Sequence, residues 1–387
     1  MKFHSLVILI VFSFLSVNAQ TTHIVDNNSN SIGNFANLSD AISAASAGDI
    51  IILVPSLKSY GDLSLSSTGK QLTIAGGGFN GSNGLVTKLG IISLNGGSSV
   101  NTNLDNFVIG GFECKSIDVD FVDNVIIKAV KTTEVINSTN YELRVRNSVG
   151  AEINYVTTGN TFFSSNDNFK VFHSVFIEKV NTTAVEIQTT NGFIFSNSFI
   201  GYETNTDVHL FLVDESTTGD FKNNVVYNNL IVWKRLDFGV GVTVTNNIIY
   251  NASYYNIEIK NGLKYVNNTF YVPQGVDKLV VPEGIIDVDG NKFEDPKMEV
   301  ITNYTNGLNL TPKDGSPCID SGFGNDLDGS LADKGVYGGL DPMPSVLPVN
   351  AIGVSIVPSI TNMSLSLPNA VTGGKVILNV SGKAKKN

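Results

Sequence analysis

Along most of the chain apolar residues alternate with polar ones instead of recurring every three or four positions, as in Val185-Glu-Ile-Gln, Val242-Thr-Val-Thr and Ile257-Glu-Ile-Lys. Period two puts successive side chains on opposite sides of a strand. Between these runs lie clusters of Asn, Gly, Asp, Ser and Thr, residues that tolerate left-handed backbone or bond their own backbone in turns. The pattern predicts an all-β chain of short strands and tight turns.

The strands recur with a period. One phrase returns as Asn197-Ser-Phe-Ile, Asn224-Val-Val-Tyr, Asn247-Ile-Ile-Tyr, Asn268-Thr-Phe-Tyr and Asn291-Lys-Phe, at steps of 27, 23, 21 and 23 residues. Weaker copies stand upstream at Asn106-Phe-Val-Ile, Asn124-Val-Ile-Ile, Ala151-Glu-Ile and Ser174-Val-Phe-Ile. A fixed period of this size means stacked supersecondary units. Leucine-rich repeats have a similar length but need a Leu-rich consensus and a helical segment, which this repeat lacks. The prediction is a right-handed parallel β-helix, a solenoid of about 23 residues per coil, each strand pairing with its counterpart in the next coil about 4.8 Å away. The leading Asn residues then stack on one another and bond neighbouring backbone, which is a structural role.

At the N-terminus, Leu38, Ala41, Ile42 and Ala45 fall at helical spacing behind Ser39-Asp40, predicting a helix that caps the first coil and covers its open core. Residues 1–19 read as a signal peptide: Lys2, the apolar run Leu6 to Leu15, and Val17-Asn-Ala19 before Gln20. The chain is expected at the cell surface or outside the cell. No cysteine follows the apolar run, and no other stretch approaches the roughly 18 apolar residues of a membrane span. Thirty-seven Gly, one Trp and charged residues at 16% suit a turn-rich solenoid. A formal charge of −10 argues against nucleic acid as a partner. Cys114 and Cys318 can pair only if the C-terminal segment folds back along the coils; two buried free thiols are the preferred reading.

The helix, then Ala47-Gly-Asp-Ile-Ile, Tyr60 and Leu72-Thr-Ile-Ala-Gly-Gly-Gly, resembles the N-terminal part of secreted right-handed β-helix proteins of the pectin-lyase-like superfamily. Gly315-Ser-Pro-Cys-Ile-Asp-Ser-Gly, Asp326-Leu-Asp-Gly-Ser and Asp333-Lys-Gly-Val-Tyr-Gly-Gly are similar to the closing segment of such bacterial proteins. The resemblance spans about residues 22–340, and the segment after the cleavage site together with the tail resembles exported Bacteroidetes proteins. It implies the fold and leaves activity open, since one shell carries lyases, hydrolases, epimerases and non-catalytic proteins. The domain reading is a signal peptide over 1–19, the β-helix with its cap over 20–341, and a Pro-containing tail with short edge strands over 342–387.

Three groups of residues are candidates for chemistry. If Val242, Val244 and Ile249 face inward, Tyr250 faces outward, with Tyr227 and Tyr271 equivalent to it and Ile200 and Ile177 preceding them in the same row. A tyrosine strip flanked by Asn228 and Asn251 suits an extracellular polysaccharide, aromatic faces stacking on sugar C–H groups and amides bonding hydroxyls; aromatic ladders also simply stabilise β-helices. Second, Glu142, Arg144 and Arg146 alternate on one strand, with Glu186, Lys234, Arg235, Glu258 and Lys260 in later coils. Arg144, Arg146, Lys234 and Arg235 are the cations that lyase-type elimination on a uronate requires, to neutralise the carboxylate and take the α-proton, although the two patches stand four coils apart. The carboxylates Asp118, Asp120 and Asp123 come nearest to a hydrolase set. Third, Asp326, Asp328 and Asp333, with Asn325 and Ser330, gather hard oxygen ligands that suit Ca2+, or serve as ordinary turn formers. The reading is a protein engaging extracellular polysaccharide, with lyase-type cleavage as its enzymatic extension and a non-catalytic, adhesin-like rod as the alternative.

Overall fold

The computed structural model describes residues 20–29, 31–79, 85–98, 103–136, 141–179, 182–202, 208–228, 234–251, 257–258, 264–273, 279–280, 290–298 and 309–344. The signal-peptide segment 1–19 and all of the tail beyond residue 344 lie outside these residues.

Strands stack in parallel along three faces of a solenoid with about 24 residues per turn. The first face runs from Thr22–Val25 and Ile50–Leu53 through Val108–Cys114 and Ile126–Thr132 to Gly241–Thr245 and Lys264–Val266. The second includes Val175–Glu178, Phe199–Tyr202, Val225–Asn228, Ile248–Asn251 and Thr269–Tyr271. Ser116–Asp120, Leu143–Arg146, Thr161–Ser164 and Val185–Gln188 belong to the third. Steps between register partners run from 18 residues, Glu152 to Lys170, up to 35, Thr73 to Val108. This unevenness lies in the turns, which is why the upstream copies of the repeat look weak. Inside, phenylalanines stack from coil to coil, Phe169 on Phe193 at 5.8 Å and Phe195 on Phe221 at 5.6 Å between ring centroids.

The predicted cap is the helix Leu38–Ala44, which buries Leu38 and Ala41 against the first coil. Asn37 stands at its N-cap, with Asp40 in the first turn. At the other end Lys70 Nζ donates to the carbonyls of Ile42, Ser43 and Ala45 at 3.2, 3.0 and 2.6 Å. A cation thus meets the unpaired carbonyls and negative end of the helix together.

The asparagine stack is real, with one correction of register. Asn224, Asn247, Asn268 and Asn291 are buried, and the backbone N–H of each of the first three donates to the side-chain oxygen of the next at 2.8, 2.9 and 3.0 Å. Each Nδ2 in these three also bonds that same oxygen at 3.0–3.1 Å, and all four Nδ2 groups bond a backbone carbonyl. The rung before Asn224 is Ser198, not Asn197: the Ser198 N–H donates to Asn224 Oδ1 at 3.0 Å, and Ser174 N–H donates to Ser198 Oγ. Corrected by one residue, the first step becomes 26. A second buried polar row, Ser148, Asn166, Thr190 and Thr217, fills another corner in the same manner.

Asn197, Asn223 and Asn246, each just before a buried rung, have a different task. All three adopt left-handed backbone, φ 46°, 54° and 56°, which Asn tolerates better than most residues, and their amides face the C-terminal segment. Asn246 exchanges two hydrogen bonds with the backbone of Phe323, at 2.9 and 2.7 Å. Asn197 donates to Val336 and Gly338 carbonyls, and Asn223 to Gly338. Further along, the Asp341 carbonyl meets His173 Nε2 at 2.9 Å. The segment 309–344 is therefore a strap laid back along the solenoid. It covers an outward apolar row of Val175, Ile177, Phe199, Val225 and Ile248 with Leu310, Cys318, Val336 and Met343, and Met298 of the preceding segment joins the same cluster. Gly335, at φ 90°, lets the strap backbone close down, since a Cβ there would lie 2.8 Å from Ile248 Cδ1. Fold-back was the condition for pairing the cysteines, yet Cys114 and Cys318 are both buried free thiols on different sides of the core wall.

Replacing Asn247 by Ala strips partners from buried groups on both neighbouring coils and should lower unfolding free energy by about 3 kcal/mol. Asn247→Ser keeps an acceptor, as Ser198 does naturally, and should lose about half as much; denaturant midpoints of the two variants check the order. Lys334 of the strap is buried, and desolvation pulls its ammonium from 10.5 down to about 8. The unfolded chain then binds a proton that the folded chain lacks between those values, so this group's contribution to stability rises as pH climbs through that window. Lys334→Met should lack that slope, so the wild-type minus variant difference in unfolding free energy should rise between about pH 8 and 10.5, and the variant's midpoint should exceed the wild type's below pH 8.

Candidate functional site

Each second-face strand carries an inward middle residue, Val226, Ile249 or Phe270, between outward neighbours. Register pairs Tyr227 with Tyr250 and Tyr250 with Tyr271, so the predicted tyrosine row exists and points outward. Earlier coils continue the row with Gly201 and Ile177; Ile200 pairs with Val226 and faces the core, which corrects its predicted place. Tyr227 and Tyr250 are stacked at 4.8 Å, while Tyr250 and Tyr271 meet edge to face at 5.2 Å.

The strip is not an open surface. Tyr227 is only 3% exposed, enclosed with Met298 and Leu310 in the apolar cluster beneath the strap. Tyr250 and Tyr271 remain partly exposed. Together the three rings floor a pocket of about 380 Å3, walled by Asp295, Lys297, Met298, Lys313 and Asp314. Asp295 lines the pocket with Tyr271 and accepts the Lys297 N–H at 2.8 Å, while Lys297 Nζ turns to the Gly315 carbonyl, also at 2.8 Å. Burial, then the neighbouring phenols Tyr227 and Tyr271, push the Tyr250 phenol up to about 12. Tyr271 is also raised, by burial and by Asp295. The floor therefore stays neutral and apolar-faced, with a carboxylate at one end. Asn228 and Asn251 end their strands beside the row, and their side chains lie outside the described residues.

The wall residues escaped the sequence reading because they come from the non-repeating segment after the last coil. A signal was present nonetheless. Ser174-Val-Phe-Ile, Asn224-Val-Val-Tyr and Asn247-Ile-Ile-Tyr are continuous apolar runs, and a strand apolar on both sides is buried on both sides.

The predicted cations are placed differently. Arg144 and Arg146 project from the third face, where Asp118 and Asp120 oppose them in register one coil earlier. Arg144 Nε donates to Asp118 Oδ1 at 2.8 Å and its Nη2 to the other oxygen; Arg146 Nη2 reaches Asp120 Oδ2 at 2.7 Å. The bond to Asp118 raises the Arg144 guanidinium above its ordinary value. The arginines and the two aspartates are thus matched one to one across strands. Glu142 does not project with them. It is buried at the corner, where it accepts from Thr132 Oγ1, the Gly159 N–H and Lys179 Nζ. Lys234 and Arg235 lie in the strand Lys234–Asp237, four ladder steps from Leu143–Arg146 on the same face, and their side chains lie outside the described residues. Glu258 and Lys260 are likewise outside them as side chains. Asp123 accepts the Val149 N–H.

In the strap, Asp326 accepts the N–H groups of Asp333 and Gly339, Asp328 the N–H and the hydroxyl of Ser330, and Asp333 the N–H of Asp320. The carboxylates hold turns, and among the described residues no group of three His, Cys, Asp or Glu side chains is placed to hold a metal ion. Among the described residues no helix is long and apolar enough to cross a membrane.

No protein-family model matches the chain, and no curated protein matches it. Among solved structures, the pectate lyase Pel9A aligns over 81% of this chain and 95% of its own, with 14% identity and a TM-score of 0.41. The pectin methylesterase PemA from Erwinia chrysanthemi aligns over 65% of this chain and 80% of its own, with 12% identity and a TM-score of 0.22. Both are similar in outline only, and chemistry has to be read from the side chains.

Spectrophotometric titration of tyrosinate should show the Tyr271 phenol, identified by its loss in Tyr271→Phe, ionising at lower pH in Asp295→Asn than in the wild type. Removing a carboxylate that opposes the phenolate lowers the phenol's pKa, so an unchanged Tyr271 curve would show that Asp295 does not touch it.

Proposed function

We propose that the protein is exported and binds an extracellular polysaccharide in the tyrosine-floored pocket. The observation that carries this reading is the conjunction of three outward, register-matched tyrosines with a polar wall in one concave site. Aromatic faces supply apolar contact to the C–H side of a sugar ring, and a small number of fixed polar groups orient its hydroxyls. Arranged so, a ring slides along the floor until a hydroxyl meets Asp295.

Binding is favoured over eliminative cleavage by the arginine pairs. A uronate entering near Arg144 and Arg146 has to displace Asp118 and Asp120 from partly buried ion pairs before its own carboxylate is neutralised. Lyase-type cleavage through Arg144, Arg146, Lys234 and Arg235 is the enzymatic extension of the same reading, and a glycan-free adhesin-like rod is its opposite.

Residues 20–387 incubated with polyuronates and neutral glycans, followed by absorbance near 235 nm and by affinity electrophoresis, separate the three. Retardation without rising absorbance is the expected outcome; rising absorbance assigns a lyase, and no response with any glycan leaves the rod. Tyr250→Ala should weaken retardation about tenfold, ~1.4 kcal/mol, with little loss of stability. Tyr227→Ala, which empties a buried site, should also destabilise the fold by about 3 kcal/mol.

A further inference from the structure

The tyrosine pocket is closed at one end and polar at the other, and this asymmetry narrows its ligand. At the closed end Tyr227 is 3% exposed and Met298 9%, both packed into the apolar cluster under the strap. At the open end Tyr271 is partly exposed, with Asp295 in the same lining. A site that binds the interior of a polymer needs two exits, one for each direction of the chain. This row has a stop at Tyr227, which is buried in the cluster that includes Met298.

Volume sets a second limit. Ligand pockets run from about 300 to 1,000 Å3, so the 380 Å3 of this one lies at the small end, with room for one or two sugar residues and not for a longer stretch of chain. Charge sets the third. Asp295 lines the site beside Tyr271, while the Lys297 ammonium is engaged by the Gly315 carbonyl. Asp314 adds a second negative wall residue, Lys313 offsets it, and the chain as a whole carries −10. A sugar carboxylate over Tyr271 meets like charge at contact and at long range, whereas a hydroxyl finds an acceptor.

The geometry points to an end-capturing site: the pocket takes the terminal residue of a neutral glycan, with its hydroxyl edge on Asp295 and its apolar face on Tyr250, and rejects uronates. This rests on the polysaccharide-binding reading above and goes beyond it, since that reading specifies neither chain end nor charge.

The test is calorimetric titration of the full chain with two ladders of oligosaccharides, one to six residues long. One ladder comprises neutral cello-, manno- and xylo-oligosaccharides, the other oligogalacturonides. The expected result is that affinity for at least one neutral series levels off by the dimer, and that oligogalacturonides of equal length bind at least about tenfold more weakly. Asp295→Asn should bring the two series within about twofold of each other by relieving the like-charge contact. Met298→Gly, which opens the closed end, should let affinity keep climbing with length. Oligogalacturonides binding as tightly as neutral sugars, or wild-type affinity growing through the hexamer, overturns end capture while leaving polysaccharide binding in place. Silence from both ladders overturns both readings. Thermal midpoints, expected near the wild type for Asp295→Asn and lowered for Met298→Gly, which empties a buried site, fix a temperature at which each variant is still folded, and binding is compared there.

Discussion

A buried side-chain amide has two donors and an acceptor that must be satisfied inside the protein, and along the second face of this chain that demand is met by the equivalent residue one coil away together with a backbone carbonyl. Asn224, Asn247, Asn268 and Asn291 each occupy the position that leaves the neighbouring backbone N–H and amide paired. A shift of one residue in any coil would leave unsatisfied polar groups on both sides of it, at about 1–3 kcal/mol each. The ladder therefore locks the register of the second face, and register in turn decides which side chains look outward. Tyr227, Tyr250 and Tyr271 align because Asn224, Asn247 and Asn268 align three residues before them.

The residue just before each rung connects this inner order to the outer layer. With its backbone left-handed, it points its amide away from the core, and the strap finds at Asn197, Asn223 and Asn246 a row of waiting donors. One Asn-Asn doublet thus serves the inside with its second member and the outside with its first. The strap covers outward apolar residues that would otherwise face water and, with the preceding segment at 295–298, turns an aromatic strip into a pocket. A simple solenoid communicates only between adjacent coils; here groups as distant in sequence as His173 and Asp341 are joined.

Much of this was legible in the chain itself. Period-two alternation and a recurring Asn phrase are direct images of strand geometry and ladder bonding, so fold class, cap helix and the outward phase of the tyrosines could all be read. Asn197 was misplaced by one because Asn-Ser and Asn-Asn doublets differ in which member is buried, and spacing alone does not separate the two. The arginine pairs were within reach: Asp118 to Arg144 and Asp120 to Arg146 are both 26 residues, one coil, apart. Glu142 broke its alternation because a strand's period holds only within the strand, and it sits one residue before Leu143–Arg146. The pocket wall obeys no period. Asp295, Lys297, Met298, Lys313 and Asp314 come from a segment whose position is set by where the strap lands, and only the doubly apolar strands beneath it hint that something lands there.

The strap's direction has a mechanical consequence. Its attachments retreat along the solenoid from Asn246 at Phe323 to Asn197 at Val336 and His173 at Asp341, so the attachment nearest residue 344 lies furthest from the tyrosines. Tension on the chain beyond that residue would load the His173 bond alone, then Asn197 and Asn223, then Asn246, peeling them one at a time like a zipper instead of shearing them together. Resistance to pulling is then set by the weakest single fastening, and the walls around Tyr250 are the last to feel the force.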